Sequence, residues 1–216
     1  MPLQIYYPPL QNPNDPNSPR IAPWGDWVAY GYSEDPIKIY RAELVSTQGN
    51  QYQEYLAVLL DMPNECTHAW AVFFQDVVPP ISGYYTLKLT VAVFNPSCDT
   101  PVAPPQVISI PNIQIPNTST AAAVTIKHPE NNQSLRHEHF VAFGNVATPN
   151  ELDAKLTNPA MQNLPVDVRK PKPNFWVARL APVPASHRSP NPNQTIRFTI
   201  SYKDGTNAEF VDVIIN

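Results

Sequence analysis

Glycine and charged residues are scarce in this sequence, and it contains no long apolar run. Among 216 residues there are 6 glycines, and charged residues make up 15%, whereas about 25% is typical of globular proteins. Low charge together with 43% hydrophobic residues excludes an intrinsically disordered chain. No stretch of 18 apolar residues occurs, so no membrane-spanning helix is expected.

The chain also lacks a basic excess and a leader-like start. Its formal net charge is −4, which leaves no surplus of lysine and arginine for phosphates, so nucleic-acid binding is not expected. The opening residues, Met1 to Gln4, contain neither the basic nor the apolar segment of a signal peptide. Two interpretations stay open: a cytoplasmic protein, or a mature exported fragment behind a start methionine.

Catalytic and cofactor-binding signatures are missing as well. The sequence has no nucleophile elbow, phosphate-binding loop or dinucleotide glycine motif. Glu34 and Asp35 are adjacent, so on a strand their carboxyl groups would point to opposite faces, which does not suit paired acid–base catalysis. We therefore predict that the protein is not an enzyme and needs no cofactor.

Proline, by contrast, is abundant, and the chain repeats one pattern twice. The 27 prolines, with few glycines, favour short strands joined by stiff, extended loops. Four segments of the first half return in the same order in the second half, which predicts a duplicated domain. The pairs are Trp27–Gly31 with Phe140–Gly144, Ala42–Leu44 with Ala154–Leu156, Trp70–Phe74 with Trp176–Leu180, and Thr86–Val91 with Thr195–Ile200.

Each copy is predicted to consist of about seven strands. Apolar residues alternate with polar ones over 86–93 and 195–202, the pattern of half-buried strands, and Asp204-Gly205 signals a hairpin into 209–215. No helix is expected, beyond one short turn at most in 150–156. The further predicted strands are Leu3–Tyr7, Ile37–Leu44, Tyr55–Asp61, Gln106–Ile110 and Val124–His128.

This pattern indicates an all-β fold of two tandem Greek-key β-sandwiches. The order of aromatic-Val-Ala-aromatic-Gly, a Trp before a β run, Thr-Leu-Lys-Leu-Thr-Val and a closing strand resembles that of bacterial immunoglobulin-like domains. The paired cysteines around a Trp that mark antibody domains are missing, since the second copy has no Cys. The resemblance implies adhesion, recognition or spacer duty in larger surface proteins.

The boundary between the copies is predicted where Pro and Asn punctuate the chain. Residues 1–116 form the first domain, including an extended, semi-rigid linker at 111–116, and residues 117–216 form the second. The first domain carries 4 basic and 10 acidic side chains, and the second carries 10 and 8. This asymmetry either steers head-to-tail contact between molecules or has no functional meaning.

The most metal-like cluster is His137-Glu138-His139. If Phe140 faces the core, His137 and His139 project together and could share a metal ion, with His128 as the nearest further ligand. A structural or catalytic site needs a third or fourth ligand. Solvated histidines near a strand start are therefore the favoured interpretation, and no metal site is predicted.

A group of tyrosines and a tryptophan in the first copy is the better hint of function. Tyr and Trp are favoured at recognition surfaces because they bring large area at low entropic cost. The alternative is that they cover the open ends of the sandwich. The group consists of Tyr6, Tyr7, Trp24, Tyr32, Tyr52 and Tyr55.

Together these observations predict a non-enzymatic module for binding or adhesion, or a structural spacer. A protein or a polysaccharide would be its partner. An accessory, non-catalytic fragment of a larger secreted hydrolase is the alternative, followed by a histidine-based metal-binding protein. The oligomeric state stays open.

Cys66 and Cys98 are the only cysteines. They flank two consecutive, oppositely directed strands, so both lie at one end of the first sandwich, where a disulfide is geometrically allowed. Two free thiols on adjacent loops are the alternative. A bridge would argue for an extracytoplasmic or cell-surface location, because cytosolic thiols are normally kept reduced.

We expect Cys66 and Cys98 to be bonded in protein made under oxidising conditions. Native protein purified without reductant should resist alkylation at both sites, and its intact mass should rise by about two hydrogens on reduction. Non-reducing mass spectrometry measures both. Ready alkylation of both thiols in the native protein would contradict the bridge.

Overall fold

Strands account for nearly all the regular structure of the computed structural model. It describes residues 3–23, 25–46, 53–60, 66–77, 83–115, 124–147, 151–158, 161–189, 191, 194–206 and 208–216. Within these ranges the one helical element is a 3-10 turn at Ala185–His187, and none of the described helical structure could span a membrane. The strands are β1 (Leu3–Tyr7), β2 (Arg20–Ile21), β3 (Gly25–Ser46), β4 (Gln53–Leu59), β5 (Thr67–Val77), β6 (Gly83–Val93), β7 (Gln106–Ile115), β8 (Val124–His128), β9 (Ser134–Leu135), β10 (Phe140–Val146), β11 (Leu152–Thr157), β12 (Leu164–Lys172), β13 (Phe175–Leu180), β14 (Ile196–Tyr202) and β15 (Glu209–Ile215).

The chain divides into two compact units, Met1–Ser119 and Thr120–Asn216. In the first unit, β3 pairs with β1 and β5 in its first half and with β4 and β6 in its second half, and β7 and β2 follow β6. In the second unit the strand order is β8-β10-β13-β12-β11-β14-β15-β9. The first half of β3 corresponds to β10 and its second half to β11. Counted in this way, the two units have the same strand order.

In each unit a strand pairs with both sheets, β4 in the first and β12 in the second, and in the first unit β3 also continues from one sheet into the other. The strand β4 pairs with β3 near Leu56 and with β5 near Val58. Likewise, β12 pairs with β11 near Val166 and with β13 near Val168. Short strands β2 and β9 run parallel to the last strands of their units. This is the immunoglobulin-like arrangement, and the prediction of two tandem all-β sandwiches is confirmed.

A tryptophan packed onto a glycine occupies the same place in both units. Gly31 lies opposite Trp70 across β3 and β5, and Gly144 lies opposite Trp176 across β10 and β13. A Cβ atom would lie 2.7 Å from the Trp70 ring if added at Gly31, and 2.9 Å from the Trp176 ring if added at Gly144. Only glycine leaves room for these rings, which explains why the aromatic-Val-Ala-aromatic-Gly segment recurs.

Alternating apolar residues fill the core as the sequence predicts. In β14, Ile196, Phe198, Ile200 and Tyr202 are buried, while Arg197 between them is exposed. The strands β10 and β13 are buried on both faces along most of their length, as are β5 and the first half of β3. These strands belong to the sheet that we call the first sheet of each unit; the second sheet contains β6 and β7 in the first unit and β11, β14 and β15 in the second. The first sheet therefore has no solvated face along these strands.

The structure makes two expectations about local structure more definite. The segment 150–156 was expected to hold one helical turn at most, but its described part enters strand β11. There Ala154 and Leu156 lie opposite Ile200 and Phe198 of β14, so burial of alternate residues outweighs the helix propensity of this segment. The predicted strand 37–44 is not separate either, since it continues the long strand β3 from one sheet into the other.

The described part of the predicted linker 111–116, residues 111–115, is part of a strand and not a linker. These residues belong to β7 and pair with β6. Ile113 and Ile115 are fully buried, and their burial draws the segment into the first unit. Pro111 is accommodated at an irregularity in the register, where Asn112 has a φ of 62°.

We expect Trp176→Ala to lower the free energy of unfolding by about 3–5 kcal/mol. Its side chain is fully buried, and its ring Nε1–H donates to the carbonyl of Asn145 at 3.2 Å. Urea denaturation followed by far-UV circular dichroism measures the change. Met161→Ala, at an exposed site of the same unit, is the control and should stay within about 0.5 kcal/mol. A loss below about 1 kcal/mol in Trp176→Ala would contradict the packing described above.

Candidate functional site

The predicted recognition aromatics of β1 pack mainly against a neighbouring ring of the same sheet. Tyr7 is buried and stacks on Tyr30, with ring centroids 6.2 Å apart, and Tyr6 meets Tyr30 edge-on at 6.2 Å. Burial raises the pKa of Tyr30 far above its ordinary value. Tyr7 is therefore a packing residue and not the exposed recognition residue that was expected.

The other described members of the group are Tyr32 of β3 and Tyr55 of β4. Tyr32 stacks on His68 at 5.9 Å, and Tyr55 contacts Tyr85 at 6.1 Å. The hydroxyl of Tyr85 donates to Gln53 Oε1 at 2.6 Å, and burial raises its pKa to about 12. Trp24 and Tyr52 fall outside the described residues. Tyr6 and Tyr7 share Tyr30 as a partner, and Tyr32 lies two residues along β3 from Tyr30 on the same face, whereas Tyr55 contacts Tyr85 of β6.

The histidines considered as metal ligands are held apart by separate contacts. His137 lies against the carbonyl of Asn216, and the buried His139 accepts a hydrogen bond from Arg179 Nε at 3.3 Å. His128 is buried and stacks on Phe143, with centroids 5.4 Å apart. Among the described residues, no group of three His, Cys, Asp or Glu side chains could hold a metal ion. The interpretation of His137 and His139 as solvated histidines is wrong for His139, which is buried.

Cys66 and Cys98 form a disulfide in the structure, with Cα atoms 5.9 Å apart. Cys66 directly precedes β5, and Cys98 lies in the loop after β6. Ile37 of β3 pairs with Thr67 of β5 and also with Val93 of β6. This double pairing brings the start of β5 and the end of β6 to one end of the sandwich.

The solvent side of the second sheet in the first unit carries the apolar surface that the sequence analysis missed. Leu56 of β4 lies opposite Glu43, which lies opposite Lys88 of β6, so the three share one face. Val107 of β7 lies opposite Thr90 of β6, which lies opposite Arg41 of β3, so Val107 is on the same face. Tyr84 lies four residues before Lys88 on β6 and points to the same side of that strand. We call this surface the outer face; its residues are Arg41, Glu43, Glu54, Leu56, Tyr84, Lys88 and Val107.

Apolar and charged groups alternate across the outer face. Leu56, Tyr84 and Val107 are 59%, 52% and 62% exposed. Arg41 donates from Nε to Glu43 and from its terminal nitrogen to Glu54, each at 2.6 Å. The hydrogen bond to Glu43 is the main reason why the pKa of Arg41 is raised. The alternation of side chains along β4 could have revealed that Leu56 is exposed. Apolar residues occur on both sides of this strand, however, so the sequence did not indicate which side faces solvent.

The corresponding side of the second unit is more polar. Arg197 forms two hydrogen bonds with Asp212, at 2.8 and 2.9 Å, and the hydrogen bond lowers the pKa of that carboxyl group. The guanidinium of Arg197 also lies 4.2 Å from the ring centroid of Phe210. Phe210 is 57% exposed, and this cation lies over its ring.

No protein-family model and no curated protein matches this chain. Solved structures do match, at low identity. A marsupial T cell receptor is 8% identical, with 91% of this chain and 71% of the receptor chain covered and a TM-score of 0.31. A tandem pair of titin immunoglobulin domains is 10% identical, with 91% and 92% covered and a TM-score of 0.27. A titin structure of three immunoglobulin domains, a mutated variant, is 8% identical, with 92% and 63% covered and a TM-score of 0.29.

Acid is expected to weaken the second unit because it contains a buried neutral histidine. Burial lowers the pKa of His128 from 6.5 to about 3. Between these values the unfolded chain binds a proton that the folded chain does not. The free energy of unfolding therefore falls as the pH drops below 6.5, by up to about 1.4 kcal/mol per pH unit.

Replacing the histidine tests this assignment. His128→Phe should reduce the pH slope, because phenylalanine does not titrate and can stack on Phe143. Urea denaturation at pH 7, 6 and 5 measures it, with Met161→Ala at an exposed, non-titrating site of the same unit as a control that should leave the slope unchanged. Equal slopes in wild type and His128→Phe would show that another group governs acid stability.

Proposed function

We propose that this protein is a non-enzymatic binding module whose first unit contacts a protein partner through the outer face. The observation that carries the proposal is the exposure of Leu56, Tyr84 and Val107, spaced among charged side chains, on one face of a sheet whose other side is core. Protein interfaces combine apolar anchors with a charged rim, and Tyr and Arg are enriched in them.

Two of the three exposed apolar groups of the outer face are aliphatic, which favours a protein over a polysaccharide. Sugar rings pack best on flat, exposed aromatic rings. Leu56 and Val107 are branched aliphatic side chains, and they lie on either side of the strands that carry Arg41 and Lys88. Such groups fit the apolar side chains of another protein by shape and dispersion contact.

The ion pairs on this face suit selective binding. Glu43 and Glu54 hold the Arg41 guanidinium in one place, so a partner meets a fixed pattern of charge. Exposed pairs contribute little to stability, but such patterns set the rate of association and reject partners of the wrong charge.

The Cys66–Cys98 pair supports an extracytoplasmic or cell-surface location for this module. Disulfides persist in oxidising compartments and are rare in the cytosol. The absence of a catalytic signature in the sequence supports a binding role over an enzymatic one. Fold alone does not decide between them, because one fold hosts many functions.

The proposal is tested by reversing the character of the outer face. Leu56→Lys/Val107→Lys should fold as wild type, since both sites are more than half exposed. Wild-type protein would first be used to capture proteins from a cell-surface fraction of the source organism. Each captured protein would then be identified and purified, and its affinity for the wild type and the variants would be measured by surface plasmon resonance. We expect at least a roughly tenfold loss of affinity in the double variant, and none in the control Met161→Lys.

Two results would overturn the proposal. One is equal affinity of wild type and the double variant for every purified partner. The other is that wild type binds purified cell-surface polysaccharide but no protein, and that the double variant binds this polysaccharide equally well.

A further inference from the structure

The last strand of the second unit has an outer edge that is covered along only part of its length. The N–H of Asp212 donates to Asn131 Oδ1 at 3.1 Å, and its carbonyl accepts from Asn132 N–H at 2.6 Å. Further along, the N–H of Ile214 donates to the carbonyl of Gln133 at 2.9 Å. The segment around β9 therefore covers β15 from Asp212 onward.

Phe210 is the next residue of β15 whose backbone points to the same side. In an antiparallel pair, alternate residues direct both backbone groups to one neighbouring strand. The backbone groups of Asp212 and Ile214 point toward the segment around β9. The N–H and C=O of Phe210 therefore point to the same edge of β15, but they lie before Asp212, where the contact with that segment begins. On this edge, no described strand pairs with β15 at Phe210, and this rung can therefore accept another strand.

A groove lies beside this rung. It has a volume of about 720 Å³ and is lined by residues of β8 and of the start of β15, two strands that approach each other. Among the described strands, β8 pairs with β10 alone and is therefore also an edge strand. Val124 and Val211 line the groove and belong to the hydrophobic core, so the groove opens onto core side chains between the two sheets.

The rim of the groove is acidic. Glu130 and Glu209 line it and are exposed, and no Lys or Arg is among its described lining residues. An occupant that matches this chemistry is extended, offers backbone groups to β15, directs alternate aliphatic side chains at Val124 and Val211, and carries a basic residue near the rim.

We propose that this groove binds an extended peptide segment of a partner protein, with alternating aliphatic residues and flanking basic residues, which adds to β15 as a strand. Backbone hydrogen bonds at Phe210 supply affinity, while the apolar floor and the two glutamates supply selectivity. This site lies in the second unit and does not depend on the outer face of the first.

The experiment uses the full chain labelled with ¹⁵N and a synthetic peptide, Lys-Val-Thr-Val-Thr-Val-Lys. Addition of this peptide should shift the amide signals of Val124, Phe210 and Val211 and slow hydrogen exchange at Phe210. The peptide Glu-Val-Thr-Val-Thr-Val-Glu should bind about tenfold more weakly, because like charges oppose it at the rim.

Two variants of Phe210 separate the backbone contact from the ring. Phe210→Pro removes the outward N–H at an edge position where proline is tolerated, and it should abolish peptide binding. Phe210→Ala keeps the N–H and should retain binding.

A second pair of variants tests the charge without altering the strand. Glu130→Lys/Glu209→Lys should reverse the preference between the two peptides. The control Glu34→Lys/Asp35→Lys makes the same charge change at exposed sites of the first unit and should leave the preference unchanged. No shift at the groove amides at saturating peptide, or an unchanged preference in Glu130→Lys/Glu209→Lys, would overturn the proposal.

Discussion

Each sandwich depends on the contact between a tryptophan ring and the backbone of a glycine. At Gly144, the absence of a side chain lets the ring of Trp176 and the carbonyl of Thr125 in the first strand approach the same point. The Trp176 ring also lies 6.1 Å from Phe198, which belongs to the other sheet. One buried ring thus links the first strand, its own sheet and the opposite sheet. Any larger residue in place of the glycine would separate these three parts, because a close-packed core has no spare volume.

This packing determines which surfaces can interact with other molecules. The central strands of the first sheet in each unit are buried on both faces, so few of their side chains are available to a partner. The second sheet buries one face only, as antiparallel sheets commonly do. Exposed apolar groups such as Leu56 and Val107 can therefore accumulate on its solvent side. The outer face follows from this asymmetry between the two sheets.

The two proposed binding surfaces use different chemistry. The outer face of the first unit offers side chains, with Arg41 held between two glutamates and apolar groups around it. The groove of the second unit offers backbone groups at Phe210 beside an opening onto the core. Both arise because a two-sheet sandwich does not close on itself: it leaves a sheet face and strand edges that no local contact satisfies.

The sequence by itself determined the strands, the duplication and the fold class. Alternation around Phe198 and the recurrence of Trp with Gly are local patterns, and they reflect the two-residue period of a strand and the space that a glycine leaves. Only the tertiary structure decided which side of an apolar strand meets solvent, as at Leu56, and whether a polar residue such as His139 is buried. It also drew Ile113 into a strand where the prolines suggested a linker. These outcomes depend on which distant strands become neighbours, and that choice is made by the packing of the whole core and not by any local period.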